Sequence, residues 1–442
     1  MPDSPPAIRT RLTYTLVNSG TTELNFLDLT LPAMSSYGLA DVRATVDGQA
    51  VQLDDLPAEL QFDSPSVRRL NFDVPWKRGA KHELAIEYVF RSPGQPGTRI
   101  TLSDSGFHIG SRGGFAALQP PKHFLAPYPK RPSKMYYTVD VPTDFRVLAR
   151  GTPAGRKLNG KEAECRYRLA SNDLTVFVVA GRYVESAPLG RSGPVFWTFA
   201  PVSIQQDTAE QIKEAWDTLE KDFGTLDKNI RVPHIVEASD LPAHVIGEQG
   251  PISFPGGALV SAAGFEEASQ QSSQGEAFVD AVSHALAHNW FGDEIYPAAN
   301  TSLVLTEGLP EYATIMIDEA RGGEAARRKR IQQYLSEYDV ALKKGDENTL
   351  AVASVTDPEP ERRIALAKAP LFFAALEDEC GANAMQGALK EVVTLLRGEQ
   401  AGYPAIRAAL EQESGKNLAA TFRLWLNEKG IPQDFRARYE EN

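Results

Sequence analysis

The stretch VSHALAHNWFG, residues 282–292, decides how the rest of the chain is read. Its two histidines, His284 and His288, stand four residues apart. An α-helix completes a turn in about 3.6 residues, so both imidazoles leave the same helix face. Two imidazole nitrogens so placed suit a zinc ion, which takes nitrogen donors at about 2.0–2.1 Å. A third protein ligand is available in TEGLPEYA, where Glu307 lies 19 positions beyond His288. Two histidines and one carboxylate leave the fourth zinc position open for water, the arrangement of catalytic rather than structural sites. A bare H-x-x-x-H pair is weak by itself, because amphipathic helices often carry histidines on their surface or in their core.

The bulk of the sequence sets the frame for that site. With 442 residues, the chain is expected to form two or three domains. Hydrophobic residues make up 42% and charged residues 24%, the profile of a globular protein with a substantial core. The net charge of −12 argues against nucleic acid or an anionic membrane as partner, since both attract basic surfaces. No run is long and apolar enough to span a bilayer, and no basic-then-apolar signal segment opens the chain. The opening MPDSPPAIRT reads as a disordered leader, or as what trimming at a processing site leaves behind. The compartment stays open between cytoplasmic and, after such trimming, periplasmic or secreted. Cys165 and Cys380 are too few for a metal cluster and read as free core thiols, with a pairing between them left open.

Along the chain, hydrophobic patterning divides the sequence near residues 190 to 203. RLTYTLV, HELAIEYVF, KMYYTVDV and LTVFVVAGRYV are rich in β-branched and aromatic residues and are separated by turn formers. They predict an antiparallel sandwich or saddle-like sheet. QPPKHFLAPYPKRPSK interrupts them as a Pro-rich basic connection, which reads as a solvated loop. Ile212, Trp216, Leu219 and Phe223 recur at helical spacing between Ser203 and Phe223. PHIVEA predicts a strand, and ISFPGGALVSAAGF a Gly-rich turn running into another. Beyond Gly275 the pattern is helical, with segments expected around Ala325–Leu342, Leu366–Glu379, Ala384–Leu396 and Leu418–Lys429. KKGDENTLAVASVTDPEPERR is the longest break between them and is expected near a cleft. The fold class is therefore α+β multidomain: an antiparallel β domain over 1–195, then a mainly helical domain over 196–442.

The phrase HALAHNWFGDEI followed by LTEGLPEYA resembles the gluzincin zinc aminopeptidases, the family of membrane alanyl aminopeptidase and leukotriene A4 hydrolase. That family's pattern is H-E-x-x-H-x-W-F-G, eighteen residues after the second histidine, then E-G-x-x-x-Y. This chain carries both histidines, Trp290-Phe291-Gly292, the interval, Glu307-Gly308 and Tyr312. The resemblance implies an N-terminal β domain followed by a thermolysin-like catalytic domain, and a short two-domain member. It also implies one zinc per chain, held by His284, His288 and Glu307, and a peptide as substrate.

Three departures bear on activity. Ala285 stands where the family has the glutamate that takes a proton from zinc-bound water, and a methyl group cannot act as a base. Loss of a general base typically costs about 10²–10⁴-fold in rate. In the family, an upstream edge strand of G-A-M-E-N type binds substrate, and its glutamate binds the free α-amino group. The stretch expected to match it runs through Gly256, Gly257, Ala258 and Leu259 to Val260 and Ser261, and it lacks a glutamate. Its backbone would still pair with an extended peptide, and Glu248 is the nearest acid for the amine. Finally, Leu366 occupies the place of the tyrosine that donates to the tetrahedral oxyanion, with Tyr334, Tyr338 and Tyr403 as possible substitutes.

Two explanations of Ala285 remain at this stage. One is a deliberate Glu→Ala change in a zinc metallopeptidase, favoured because it is a single codon step amid well-kept neighbours. The other is a natural non-hydrolytic zinc protein that holds peptides. A non-peptidase hydrolase on the same scaffold is a further alternative. The remaining histidines, His82, His108, His123, His234 and His244, lack metal-ligand spacing and read as surface or satisfied core, with His244 the one nearest the cleft. Oligomeric state is undetermined.

Overall fold

The computed structural model describes residues 7–18, 20–31, 38–55, 67–91, 100–103, 105–109, 117–118, 135–169, 177–226, 230–238, 250–269, 273–297, 303–354 and 357–440. Glu248, His123, His244 and the Pro-rich QPPKHFLAPYPKRPSK loop lie outside the described residues.

The first half is antiparallel β structure, as its alternating sequence predicts. A seven-stranded sheet is built around Ala7–Val17, which pairs with Lys81–Arg91 on one side and Met135–Pro142 on the other. Leu12, Tyr14 and Leu16 face inward while the intervening residues face out, the period of two that a half-buried strand requires. Leu27, Leu29 and Leu70 come from a second sheet of four strands, and Ile109, Val178 and Ala180 from a third, to complete one core. Cys165 lies buried in this half and Cys380 half-buried in the other; both thiols are free.

The second half opens with a five-stranded sheet of order Val184–Ser186, Val195–Thr198, His234–Ala238, Gly257–Ser261, Ile252–Phe254. Because Val184–Ser186 pairs with Val195–Thr198, the hydrogen bonding of this sheet runs across residue 195. Helices follow: α1 (Gln206–Phe223), α2 (Ala262–Ala268), α3 (Ser273–Ala287), α4 (Leu309–Leu342), α5 (Glu359–Cys380), α6 (Ala382–Leu395), α7 (Tyr403–Ser414), α8 (Ala419–Asn427) and α9 (Gln433–Tyr439). The α1 face predicted from Ile212, Trp216, Leu219 and Phe223 is the buried one. The segment expected at Ala325–Leu342 is the second part of α4, which bends at Gly323. The sequence reading missed α2, α7 and α9; α7 buries only Ile406, Ala409 and Leu410.

The long break between α4 and α5 is pinned by buried groups rather than left free. Lys368 on α5 donates to Glu347 Oε1 at 2.8 Å, and the Gly430 amide donates to the other Glu347 oxygen at 2.6 Å. The two halves meet around Phe177, Val179 and Tyr183, which pack on Trp197, Val236, Phe254 and Leu259 of the five-stranded sheet.

Candidate metal centre

Helix α3 brings both histidines to one face, and the phrase that follows fixes its end in the core. Trp290 packs against Trp216 of α1 with ring centroids 5.2 Å apart, and its indole nitrogen donates to the Gly224 carbonyl at 2.7 Å. Phe291 meets Phe223 edge-on at 4.7 Å. The aromatic pair after the second histidine is thus a packing device that holds α3 on α1.

Glu307 comes from a π-helical turn, Val304–Gly308, immediately before α4. Such turns are rare and often occur at functional sites, because the extra residue changes the phase of the helix that follows. Gly308 is required here by close approach: a Cβ would meet the Ala369 Cβ of α5 at 2.6 Å. The motif's glycine therefore lets α5 lie against the ligand-bearing turn.

Three donor atoms converge. His288 Nε2 lies 3.0 Å from His284 Nε2, and Glu307 Oε2 lies 3.6 Å from His284 Nε2 and 3.4 Å from His288 Nε2. A tetrahedral zinc with bonds of about 2.0–2.1 Å separates its ligand atoms by about 3.3 Å. The measured triangle matches one face of such a tetrahedron, and the donor set, two imidazoles and a carboxylate, suits zinc. These three residues could hold a metal, and among the described residues they form the single such group found. Their side chains are 23%, 11% and 30% exposed, so the donors open toward solvent on one side.

A residue absent from the sequence reading completes the cluster. Glu311, one helical turn beyond Glu307, places Oε1 3.3 Å from His284 Nδ1. Its other oxygen accepts from the Tyr334 hydroxyl, which also stands 3.0 Å from Thr314 Oγ1. Burial opposes charge on His284, but Glu311 and Glu307 outweigh it and push its pKa up to about 10. Glu307 is held well below the ordinary carboxylate range, its burial outweighed by His288 and His284. The field of the site favours positive charge at its centre.

Tyr334, considered as a substitute oxyanion donor, is buried and committed to Glu311. Tyr338 is buried as well, and the Tyr403 hydroxyl lies 3.4 Å from the Leu350 carbonyl. Ala285 is wholly buried in the core of the helical half, and Leu366 packs partly buried against the same core.

The expected substrate strand needs correction. Gly257–Ser261 pairs in parallel with His234–Ala238 and antiparallel with Ile252–Phe254, so both of its edges are occupied. Gly257, Ala258 and Leu259 therefore have no free backbone groups to offer a peptide. Val260 is in the core, and the Ser261 hydroxyl accepts from the Gly264 amide at the start of α2. The edge of the sheet is Ile252–Phe254, which pairs only with Gly257–Ser261 among the described residues. Gly256 belongs to the turn that joins the two strands, where φ of +97° suits glycine. Asn289, directly after the second histidine, is also engaged there. Its Oδ1 accepts from the Gly256 amide, and its Nδ2 lies 3.4 Å from the Gly257 carbonyl.

With this geometry in hand, residues 262–425 match the Peptidase family M1 domain. The chain carries an M1 peptidase domain. Both histidines, Glu307, α4, α5 and most of α8 fall within the matched span. No curated protein matches the chain by sequence.

Solved structures share the fold over nearly the whole chain. A Glu-to-Ala mutant of the M1 zinc metallopeptidase from Deinococcus radiodurans has a TM-score of 0.65 at 17% identity, covering 97% of this chain and 92% of that one. The same protein's mutant bound to a Tyr-Ser-Ala substrate has a TM-score of 0.65 at 18% identity, with the same coverage. Native yeast LTA4 hydrolase has a TM-score of 0.64 at 13% identity, covering 96% of this chain and 66% of that one. At these identities the likeness concerns the fold: a sheet-rich first half followed by a helical second half around the M1 domain. Among the described residues, no helix is long and apolar enough to cross a membrane.

Proposed function

We propose that this protein is a zinc-holding, peptide-binding M1 protein of aminopeptidase type whose hydrolytic step is disabled or strongly impaired. The observation that carries this reading is a contrast within one site. Three candidate metal donors keep a tetrahedral spacing, while Ala285, read as the position of a base, is buried in the apolar core, and Leu366, read as that of an oxyanion donor, packs partly buried against it. The division of the chain into 1–195 and 196–442 belongs to the same reading.

His284, His288 and Glu307 would hold one zinc per chain, with Glu311 orienting the first histidine. When bound there, zinc supplies Lewis acidity toward a carbonyl or water oxygen. An extended peptide would add to the sheet along Ile252–Phe254, whose outer backbone groups face no partner among the described residues. Glu248, four positions ahead of that strand, is the acid proposed to meet a free α-amine. Ala285 can accept no proton and Leu366 can donate none, so the bound peptide is held rather than cut.

The test is a paired measurement on the purified chain. Elemental analysis is expected to give about one zinc per chain, lost in His288→Ala. Calorimetry is expected to show binding of the tripeptide Tyr-Ser-Ala without release of free amino acids on prolonged incubation. A protein with no zinc after supplementation, or one that hydrolyses the tripeptide at ordinary peptidase rates, overturns the reading.

A further inference from the structure

Asn289 sits between a candidate metal ligand and an aromatic anchor, yet its side-chain hydrogen bonds go to neither. It is 1% exposed, and both ends of its amide are directed at the turn between the edge strand and its neighbour. The oxygen takes the Gly256 amide, a group that the sheet itself leaves unpaired because Gly256 lies in the turn. The nitrogen approaches the carbonyl of Gly257, the first residue of the inner strand. On the other side, the Gly256 carbonyl accepts from the His234 amide at 2.9 Å, so the turn is held by two separate elements.

The consequence is geometric. His288 and Asn289 are adjacent in the chain, and Gly256 is two residues from the end of the edge strand at Phe254. A strand rises about 3.3 Å per residue. The path from a metal ligand to the peptide-pairing edge therefore runs through one side chain and a short, hydrogen-bonded turn. Phe254 is itself fixed: it is wholly buried and packs on Phe177 with ring centroids 4.9 Å apart. A strand fixed at this end has little freedom to shift its register against α3.

We propose that Asn289 is a positioning residue that sets the edge strand, and with it a bound peptide, relative to the metal ligands. The inference rests on the peptide-binding reading above and assigns its register to a single buried amide. Replacement by alanine would leave the Gly256 amide buried without an acceptor, and the turn would relax away from α3. Metal binding should be untouched, because Asn289 reaches none of the three donors.

The experiment compares the native chain with Asn289→Ala, each loaded with zinc. Zinc content and the affinity for acetohydroxamate, a probe small enough to touch the metal alone, are expected to stay within twofold. Affinity for the Tyr-Ser-Ala tripeptide is expected to fall at least tenfold. Hydrogen exchange by mass spectrometry is expected to quicken across 252–257 and to remain unchanged across 273–287. Should Asn289→Ala not fold, Asn289→Asp keeps the acceptor oxygen, loses the donor to Gly257, and is expected to move the same readouts less. Tripeptide affinity within twofold of the native value in a folded variant overturns the inference alone, as does unchanged exchange at 252–257. A native zinc-loaded chain that does not bind the tripeptide overturns the peptide-binding reading, and this inference with it.

Discussion

Glu311 stands 3.3 Å from the Nδ1 of His284, on the side of the ring opposite the nitrogen that faces Glu307 and His288. A carboxylate in that position fixes the ring's tautomer and raises the basicity of the nitrogen across the ring, the one proposed to meet a metal. Tyr334 in turn holds Glu311, so the contacts run from the candidate metal centre along α4. His288 differs in having no carboxylate set against its buried Nδ1 among the described residues. Loss of such an outer partner typically lowers metal affinity about 10–100-fold. Glu311→Gln is expected to weaken zinc binding within that range, and Tyr334→Phe by less, in competition titrations with a chromophoric chelator. Native zinc affinity in Glu311→Gln would remove Glu311 from the metal centre.

On the proposed reading, restoring a base alone should not restore hydrolysis: with Ala285→Glu, Leu366 would still offer no hydrogen bond to a developing oxyanion, a contact worth about 10²–10³ in kcat. The double variant Ala285→Glu/Leu366→Tyr is expected to exceed Ala285→Glu in kcat/KM on aminoacyl amides by at least tenfold. Burying a glutamate at a wholly enclosed position is also expected to lower the melting temperature of both variants. Full peptidase activity in Ala285→Glu alone would show that another group stabilises the oxyanion.

Gly308 is constrained by packing, not by its own backbone conformation. Its φ of −66° is ordinary for a helix, whereas a Cβ would stand 2.6 Å from that of Ala369. Overpacking of this kind costs about 1–3 kcal/mol. Gly308→Ala is expected to destabilise the protein in urea titrations and to weaken zinc binding, because the ligand-bearing turn must move. Ala369→Gly in the same chain should recover most of both losses. Equal stability of the single and double variants would place the strain elsewhere.

Acid sensitivity is expected to have a local source in the first half. His108 is buried in the Gly106–Ile109 strand, and neither ring nitrogen has a hydrogen-bond partner among the described residues. It is thus neither surface nor satisfied core, unlike His82, which lies 2.7 Å from Asp47 Oδ2. Burial pushes its pKa down to about 3, well below the ordinary histidine value of about 6.5. Between those values the unfolded chain binds a proton that the folded chain refuses, so this contribution to stability is lost as pH falls through the window. At pH 5 the difference is about 2 kcal/mol. His108→Leu is expected to narrow the gap between urea midpoints measured at pH 7 and pH 5; an unchanged gap would assign the acid sensitivity to other groups.

Local spacing was enough for much of this protein. The 284/288 interval places two imidazoles on one helix face whatever surrounds it, and alternation in the strand at Leu12, Tyr14 and Leu16 or helical recurrence at Ile212, Trp216 and Leu219 fixes which face is buried. Those properties depend on residues within a turn or two of one another, so the fold class and the shared face of the two histidines could be read directly. Which strand forms an edge is a different kind of property. Gly257–Ser261 is apolar enough to be an inner strand and was mistaken for the edge because its pairing partners, His234–Ala238 and Ile252–Phe254, are assigned only by the assembled sheet. Glu311 and Asn289 look like an exposed helix acid and a helix-end amide in sequence. Only the crossing of α4 against α3 sets one beside His284, and only the fold of the hairpin onto α3 sets Gly256 beside the other. Pairing between distant segments costs chain entropy and is repaid by burial across the whole core, so no single stretch carries the information that decides it.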